Sequence, residues 1–183
     1  MRTMLSLTVL LIASAAGRAD PVDNPAYKSW ANFKPGTTIT MKTENEFNKM
    51  KSEFVIVSKL VEVGKDKCVI EVETITKVMG MEFKAPAMKQ DVPKTYDVPK
   101  PKDGETPAKV ETPDITREEG KETLKIGAVE VKTTWMKYKG KTAAGEAEGQ
   151  TWMSDDVPGG LVKSVTKAGE VTSKTELIEI KKP

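Results

Sequence analysis

The stretch Thr151-Trp152-Met153-Ser154-Asp155-Asp156-Val157-Pro158-Gly159-Gly160-Leu161-Val162-Lys163 is the most specific part of the sequence. Trp, Thr and Val favour strands, whereas Pro followed by two Gly residues favours a tight turn. Asp155 and Asp156 stand where side chains that initiate turns are common. The stretch therefore predicts two strands joined by a tight turn, which is typical of an antiparallel sheet.

The sequence around this stretch alternates with a period of two, as strands do. One phase of the preceding strand contains Val129, Val131, Thr133 and Trp135. The tripeptide Thr134-Trp135-Met136 returns as Thr151-Trp152-Met153, so a hairpin closing through a loop at 140–149 would place Trp135 opposite Trp152. We expect Trp152 to be buried. Two further strands, at 161–167 and 171–180, are predicted to form a hairpin.

The first half of the chain predicts a short helix followed by strands. Asn24 and Pro25 are suited to the N-cap and first position of a helix, and Tyr27, Trp30 and Phe33 would line its core-facing side. Strands are predicted from residue 37, over 52–63, from 67 to 78 and near 81–88. On the third of these, Cys68 shares a phase with Ile70 and Val72, which predicts a buried structural thiol rather than a reactive one.

Composition changes between residues 85 and 120, where six prolines disfavour regular strand pairing. Asp91-Val92-Pro93-Lys94 recurs there as Asp97-Val98-Pro99-Lys100. This Pro-rich loop is predicted to be a surface loop, with a recognition segment as the alternative. The prediction for the whole chain is a signal peptide at 1–19 followed by a single β domain at 20–183.

Residues 1–19 have the features of a secretory signal peptide. Arg2 supplies positive charge, Leu5–Ala13 is apolar, and cleavage is expected after either Ala13-Ser14-Ala15 or Gly17-Arg18-Ala19. The apolar segment is shorter than the roughly 20 residues of a spanning helix. We therefore expect export to the periplasm or the exterior, with no integral membrane segment after cleavage. An uncleaved anchor is the alternative.

Several classes of function are disfavoured by composition. The chain has no histidine, which excludes histidine-dependent triads and histidine-ligated metals. Removing residues 1–19 removes Arg2 and Arg18 and no acid, so the formal charge falls from +2 to 0. Arg117 is then the only arginine, which disfavours nucleic-acid binding. We expect no catalytic residues, no metal site and no cofactor.

The Trp-x-Ser strand that runs into Val157-Pro158-Gly159-Gly160 resembles uncharacterised exported bacterial β-proteins. More distantly, the order of elements is similar to the half-barrel lipoprotein-carrier (LolA/LolB-like) superfamily, in which a curved antiparallel sheet wraps an apolar cavity partly covered by helix. That resemblance implies a cavity wall formed by Trp135, Tyr138, Trp152 and Met153 as the ligand-binding residues.

These observations together predict a mainly β fold, a curved antiparallel sheet or half-open barrel of meander type with one short N-terminal helix. The expected function is an exported, non-enzymatic domain that binds an apolar small molecule, a lipid or another envelope component, such as an envelope protein, on its concave face. The alternative is a structural or protein-interaction module that uses the Pro-rich loop.

Overall fold

The computed structural model of the chain describes residues 21–78, 80–97, 115–142 and 145–183. The described residues are mainly strands, with one short helix. The elements, in chain order, are β1 (Pro21–Asp23), α1 (Pro25–Ala31), β2 (Thr38–Phe47), β3 (Met50–Val63), β4 (Lys67–Val78), β5 (Met81–Lys84), β6 (Met88–Pro93), β7 (Thr95–Asp97), β8 (Ile115–Ile126), β9 (Val129–Thr142), β10 (Gly145–Met153), β11 (Leu161–Ala168) and β12 (Val171–Lys181).

One large antiparallel sheet contains most of these strands, in the spatial order β5-β4-β3-β2-β12-β11-β10-β9-β8. Strand β6 pairs with β4 beside β5, while β1 and β7 form a separate two-stranded sheet. Two meanders, β2–β5 and β8–β12, are joined because β2 pairs with β12 along nearly its whole length. The sheet is curved but not closed into a barrel, which confirms the predicted fold class.

Helix α1 covers one end of the sheet. The Asn24 side chain accepts a hydrogen bond from the Ala26 backbone N–H at 2.9 Å, as the predicted N-cap requires. Trp30 is buried, and Tyr27 and Phe33 pack against the same core. The aromatic stripe is therefore core, as predicted. The buried apolar core comprises Trp30, Ile39, Met41, Leu60, Cys68, Ile70, Val92, Val131, Trp152, Val157, Val162 and Leu177.

The segment between β10 and β11 is a compact, anchored loop. Ser154 is buried, its backbone N–H donates to the Gly160 carbonyl at 2.8 Å, and its hydroxyl accepts from the Asp156 N–H at 3.2 Å. Gly159 and Gly160 both have φ of +78°, a conformation that favours glycine. The Gly159 N–H donates to the Ser29 carbonyl of α1 at 3.2 Å. The loop therefore ties the Pro-Gly-Gly turn to the helix.

The boundaries of two predicted loops are wrong. Strands β6, β7 and the first half of β8 occupy much of the predicted Pro-rich loop at 85–120. Pro93 is tolerated because it ends β6, a strand at the edge of the sheet, and Val92 enters the core. The predicted loop at 140–149 is also too long, since β9 continues to Thr142 and β10 begins at Gly145. Residues 98–114 and the signal peptide at 1–19 lie outside the described residues.

Candidate functional site

The two faces of the large sheet differ sharply in charge. Register places Glu82, Lys77, Glu53, Glu44 and Lys174 in one row across β5, β4, β3, β2 and β12. We call the side that bears this row the charged face. A row on the opposite side crosses eight strands without a charge, through Phe83, Thr76, Phe54, Thr43, Thr175, Ser164, Thr151 and Met136. We call that side the uncharged face.

Ion pairs link neighbouring strands on the charged face. The Lys42 ammonium lies 2.8 Å from Glu44 and 2.8 Å from Glu53, and Lys77 bridges Glu53 to Glu82 at 3.7 and 3.6 Å. Hydrogen bonds to Glu44 and Glu53 raise the pKa of Lys42, and the hydrogen bond from Lys42 lowers the pKa of Glu53. The charges of this face therefore satisfy one another and leave it close to neutral.

The ion pairs continue on β11 and β12. Glu176 accepts from Lys174 at 2.8 Å and from Lys163 at 3.2 Å. Burial alone would raise the pKa of Glu176, but the hydrogen bonds from the two lysines outweigh it and lower that pKa. Lys163 also stands over the Trp152 ring, with its ammonium 5.2 Å from the ring centroid, a cation–π arrangement.

Trp152 and Trp135 are direct cross-strand partners, as the repeated tripeptide predicts. Trp152 is only 8% exposed, which confirms the predicted burial, and its indole N–H donates to the Glu122 carboxylate. Trp135 lies over Gly120, where an added Cβ would stand 2.4 Å from the Trp ring. Both indoles are on the charged face, because Lys163 is the partner of Trp152 on β11. Trp152 is buried in the core, and Trp135 is half-buried.

Tyr138 and Met153 lie on the uncharged face. Tyr138 is paired with Gly149, and Met153 with Thr134, in the phase opposite to the Trp135–Trp152 pair. The Tyr138 ring covers Gly149 closely enough that an added Cβ would be 2.6 Å from Cζ. The four predicted ligand-binding residues therefore form two pairs on opposite faces of the sheet. They do not line a single cavity wall.

The uncharged face is covered at one end and open at the other. Helix α1 and the Ser154–Gly160 loop cover the end that carries Ile39, Met41 and Leu60. At the other end, large apolar side chains are exposed, with 48% of Phe47, 66% of Met50 and 57% of Phe83 accessible to solvent. Met81 and Val171 share this phase and are likewise exposed. The open end is therefore an apolar surface that none of the described elements covers.

Hydroxyl side chains fill the middle of the open end. The hydroxyls of Thr43 and Thr175 are 2.9 Å apart, and those of Thr151 and Ser164 are 3.4 Å apart. Ser173 and Thr166 are cross-strand partners in the next row. All six side chains are half-buried. We call these six residues, on four adjacent strands, the hydroxyl band.

A shallow cleft of about 300 Å³ lies where the curvature brings β8 towards β12. Leu124 and Ile126 line one side, and Lys163, Glu176 and Ile178 line the other. Three charged residues line this cleft, Lys125, Lys163 and Glu176. The Lys163 ammonium and the Glu176 carboxylate are 3.2 Å apart and pair with each other.

Groups able to perform chemistry are dispersed in the described residues. Asp155 and Asp156 are exposed at the loop, and Cys68 is fully buried, which raises the pKa of its thiol. No cluster of three or more metal-ligating side chains occurs in the described part of the chain. Of the helical residues that the structure describes, none form a segment long and apolar enough to cross a membrane.

No protein-family model matches this sequence, and no curated protein does. Two solved structures have a similar fold at low identity. One is a proposed exported protein of Bacteroides fragilis with a YmcC-like fold, 13% identical, with a TM-score of 0.47 over 82% of this chain and 97% of that one. The other is a proposed lipoprotein of Parabacteroides distasonis, 13% identical, with a TM-score of 0.46 over 81% of this chain and 96% of that one.

The Val157-Pro158-Gly159-Gly160 motif as a family mark and the link to the half-barrel lipoprotein-carrier superfamily stay predictions. What this chain binds has to be argued from its own residues.

The uncharged face was not identified from the sequence. Its signal was present within single strands, for example as Thr43-x-Asn45-x-Phe47 alternating with Lys42-x-Glu44-x-Glu46. One strand with a charged and an uncharged phase is ordinary for a half-solvated sheet. Only the register between strands shows that the uncharged phases of seven strands, β2–β5 and β10–β12, lie side by side.

Proposed function

We propose that this chain is an exported, non-enzymatic β-sheet domain that binds an uncharged ligand or envelope component on the open end of its uncharged face. One observation carries the proposal. In a chain in which 31% of residues are charged, this surface crosses seven strands without a charged side chain. A sheet face meant for water normally carries lysine and glutamate, as the charged face does.

The exposed apolar side chains support the same proposal. Phe47, Met50, Phe83 and Val171 stand on a surface that neither α1 nor the Ser154–Gly160 loop reaches. Contiguous apolar surface of this kind marks interaction sites on soluble proteins. Removing it from water contributes about 25 cal/mol per Å². A partner that covers this end therefore gains binding free energy from the apolar surface that it removes from water.

The placement of the reactive side chains favours binding over catalysis. Asp155 and Asp156 are adjacent exposed turn residues, and Cys68 is inaccessible to a substrate. We propose export because residues 1–19 have the features of a signal peptide. Both the periplasm and the exterior are consistent with such a signal.

The alternative function, a protein-interaction module, assigns binding to the Pro-rich loop at 85–120. Residues 88–93 pair with β4, and residues 115–120 pair with β9. The backbone groups that face those strands are therefore already used in strand pairing. The remaining part, 98–114, lies outside the described residues. This alternative stays a prediction and is tested by deleting 98–114 and measuring retention of an envelope protein.

The proposal is tested by methyl NMR of the protein isolated after export, titrated with neutral fractions extracted from its host's envelope. We expect shifts at the methyl groups of Thr43 and Thr175, on the uncharged face. Val55 and Val165, whose methyl groups belong to the charged face, provide the internal control. Shifts restricted to the two valines, or none with any neutral fraction, would refute the proposal.

A further inference from the structure

The chemistry of the hydroxyl band restricts what the uncharged face can bind. Thr43, Thr175, Ser164 and Thr151 form one row across four strands, with Ser173 and Thr166 in the next row. Neighbouring strands are about 4.8 Å apart, and the hydroxyls of the first row draw together in two pairs, Thr43 with Thr175 and Thr151 with Ser164. Each hydroxyl both donates and accepts hydrogen bonds and carries no charge.

A purely apolar ligand fits this band poorly. Among the described residues, no side-chain hydrogen bond joins Ser173 or Thr166 to the protein, and neither hydroxyl is fully buried, so both are accessible to water. An acyl chain lying across the band would remove that water and return no hydrogen bond, which is unfavourable. A ligand with its own hydroxyls would replace the water.

Aromatic rings flank the band on both sides. Phe54 and Phe83 lie on β3 and β5, in the same row as Thr43, and Tyr138 lies on β9 beyond Gly149. Aromatic faces are apolar and flat, and they pack against C–H groups. The face therefore combines central hydroxyls with flanking rings and excludes charge.

From this combination, and resting on the function proposed above, we infer that the ligand is a neutral oligosaccharide lying across the strands. Its hydroxyls exchange hydrogen bonds with the hydroxyl band, and the C–H sides of its rings pack on Phe54, Phe83 and Tyr138. An acidic oligosaccharide is not selected, because the surface offers no cation to a carboxylate or sulfate between β2 and β10.

Calorimetric titration of the exported protein with cellohexaose, maltohexaose and mannohexaose tests the inference, with hexagalacturonate as the acidic comparison and phosphatidylcholine vesicles as the lipid comparison. We expect at least one neutral hexasaccharide to bind, with an affinity that does not change with salt, and hexagalacturonate to bind at least about tenfold more weakly.

Two lysine substitutions on β12 test which face of the sheet binds the ligand. Thr175→Lys puts a charge in the hydroxyl band and is expected to weaken binding by at least about tenfold. Thr172→Lys is the matched control, because residue 172 pairs with Glu46 on the charged face, and it should change affinity by less than about twofold. Phe83→Ala, at an exposed edge position, is expected to weaken binding about fivefold without loss of folding.

The remaining outcomes overturn the inference in distinguishable ways. If only the vesicles bind, and Thr175→Lys abolishes that binding, the ligand is a lipid and the function proposed above stands. If neither sugars nor vesicles bind, and the protein is a dimer that Thr175→Lys dissociates, a second copy covers the face and both proposals fail. Sugar binding that survives both Thr175→Lys and Phe83→Ala places the site elsewhere.

Discussion

Replacing Gly149 by alanine is expected to destabilise the protein through one side chain, Tyr138. In the sheet, Gly149 and Tyr138 are cross-strand partners, and a Cβ at residue 149 would stand 2.6 Å from the Tyr138 Cζ. Carbon atoms in contact are normally about 3.5 Å or more apart. The ring or the strand must therefore move to admit the methyl group.

Two opposing effects determine the size of the change. Alanine in a strand is favoured over glycine by about 0.5–1 kcal/mol, because alanine loses less conformational entropy than glycine when the chain folds. Overpacking of this kind costs about 1–3 kcal/mol. We therefore expect Gly149→Ala to lower the free energy of unfolding by about 1–2 kcal/mol. In a Tyr138→Ala background the clash is gone, and the same change should be neutral or stabilising.

Urea unfolding of the wild type, the two single variants and the double variant measures this coupling. Trp fluorescence reports the transition, since both sheet indoles are on the opposite face and are untouched by the changes. We expect a coupling free energy of about 1–3 kcal/mol between the two positions. Equal effects of Gly149→Ala in both backgrounds would show that the Tyr138 ring does not cover the glycine.

Three further changes test the fold around the site. Asn24→Ala removes both the helix cap and the hydrogen bond from Asn24 to the Pro93 carbonyl, so the urea midpoint should fall by the equivalent of about 1 kcal/mol, whereas Asn24→Asp should retain the cap. The pKa of Glu53 is lowered in the folded protein by Lys42, so its contribution to stability is present above the unfolded pKa and is lost as pH falls through the folded one. As the pH decreases below about 4.3, the urea midpoint of the wild type should therefore fall more steeply than that of Glu53→Gln. Parallel plots of urea midpoint against pH for the two proteins would contradict the ion pair. Cys68 should react with a thiol reagent only on the timescale of unfolding, because it is fully buried, and rapid labelling of the native protein would contradict its place in the core.

The sequence predicted correctly those features that depend on interactions between neighbouring residues. The Asn24 cap and the paired tripeptides around Trp135 and Trp152 were both predicted correctly, because capping and strand phase depend on a few adjacent residues. The boundaries at 85–120 failed because Pro93 can end an edge strand, which is a property of position in a sheet rather than of proline itself.

The candidate site needed long-range information. The resemblance to the half-barrel carriers grouped Trp135, Tyr138, Trp152 and Met153 as one cavity wall. The structure separates them into two faces, since residues three apart in a strand point in opposite directions and Trp152 is paired with Trp135 rather than with Tyr138.

By itself, the sequence determined that the chain forms antiparallel strands with one capped helix, that histidine chemistry is absent, and that strands such as β2 carry their charges in one phase only. Only the tertiary structure decided which phases lie together. The pairing of β2 with β12 joins strands more than a hundred residues apart, and it turns seven separate alternations into one charge-free surface beside the Trp152 to Lys163 stretch. Register between distant strands is set by the packing of the whole sheet, which no local pattern encodes.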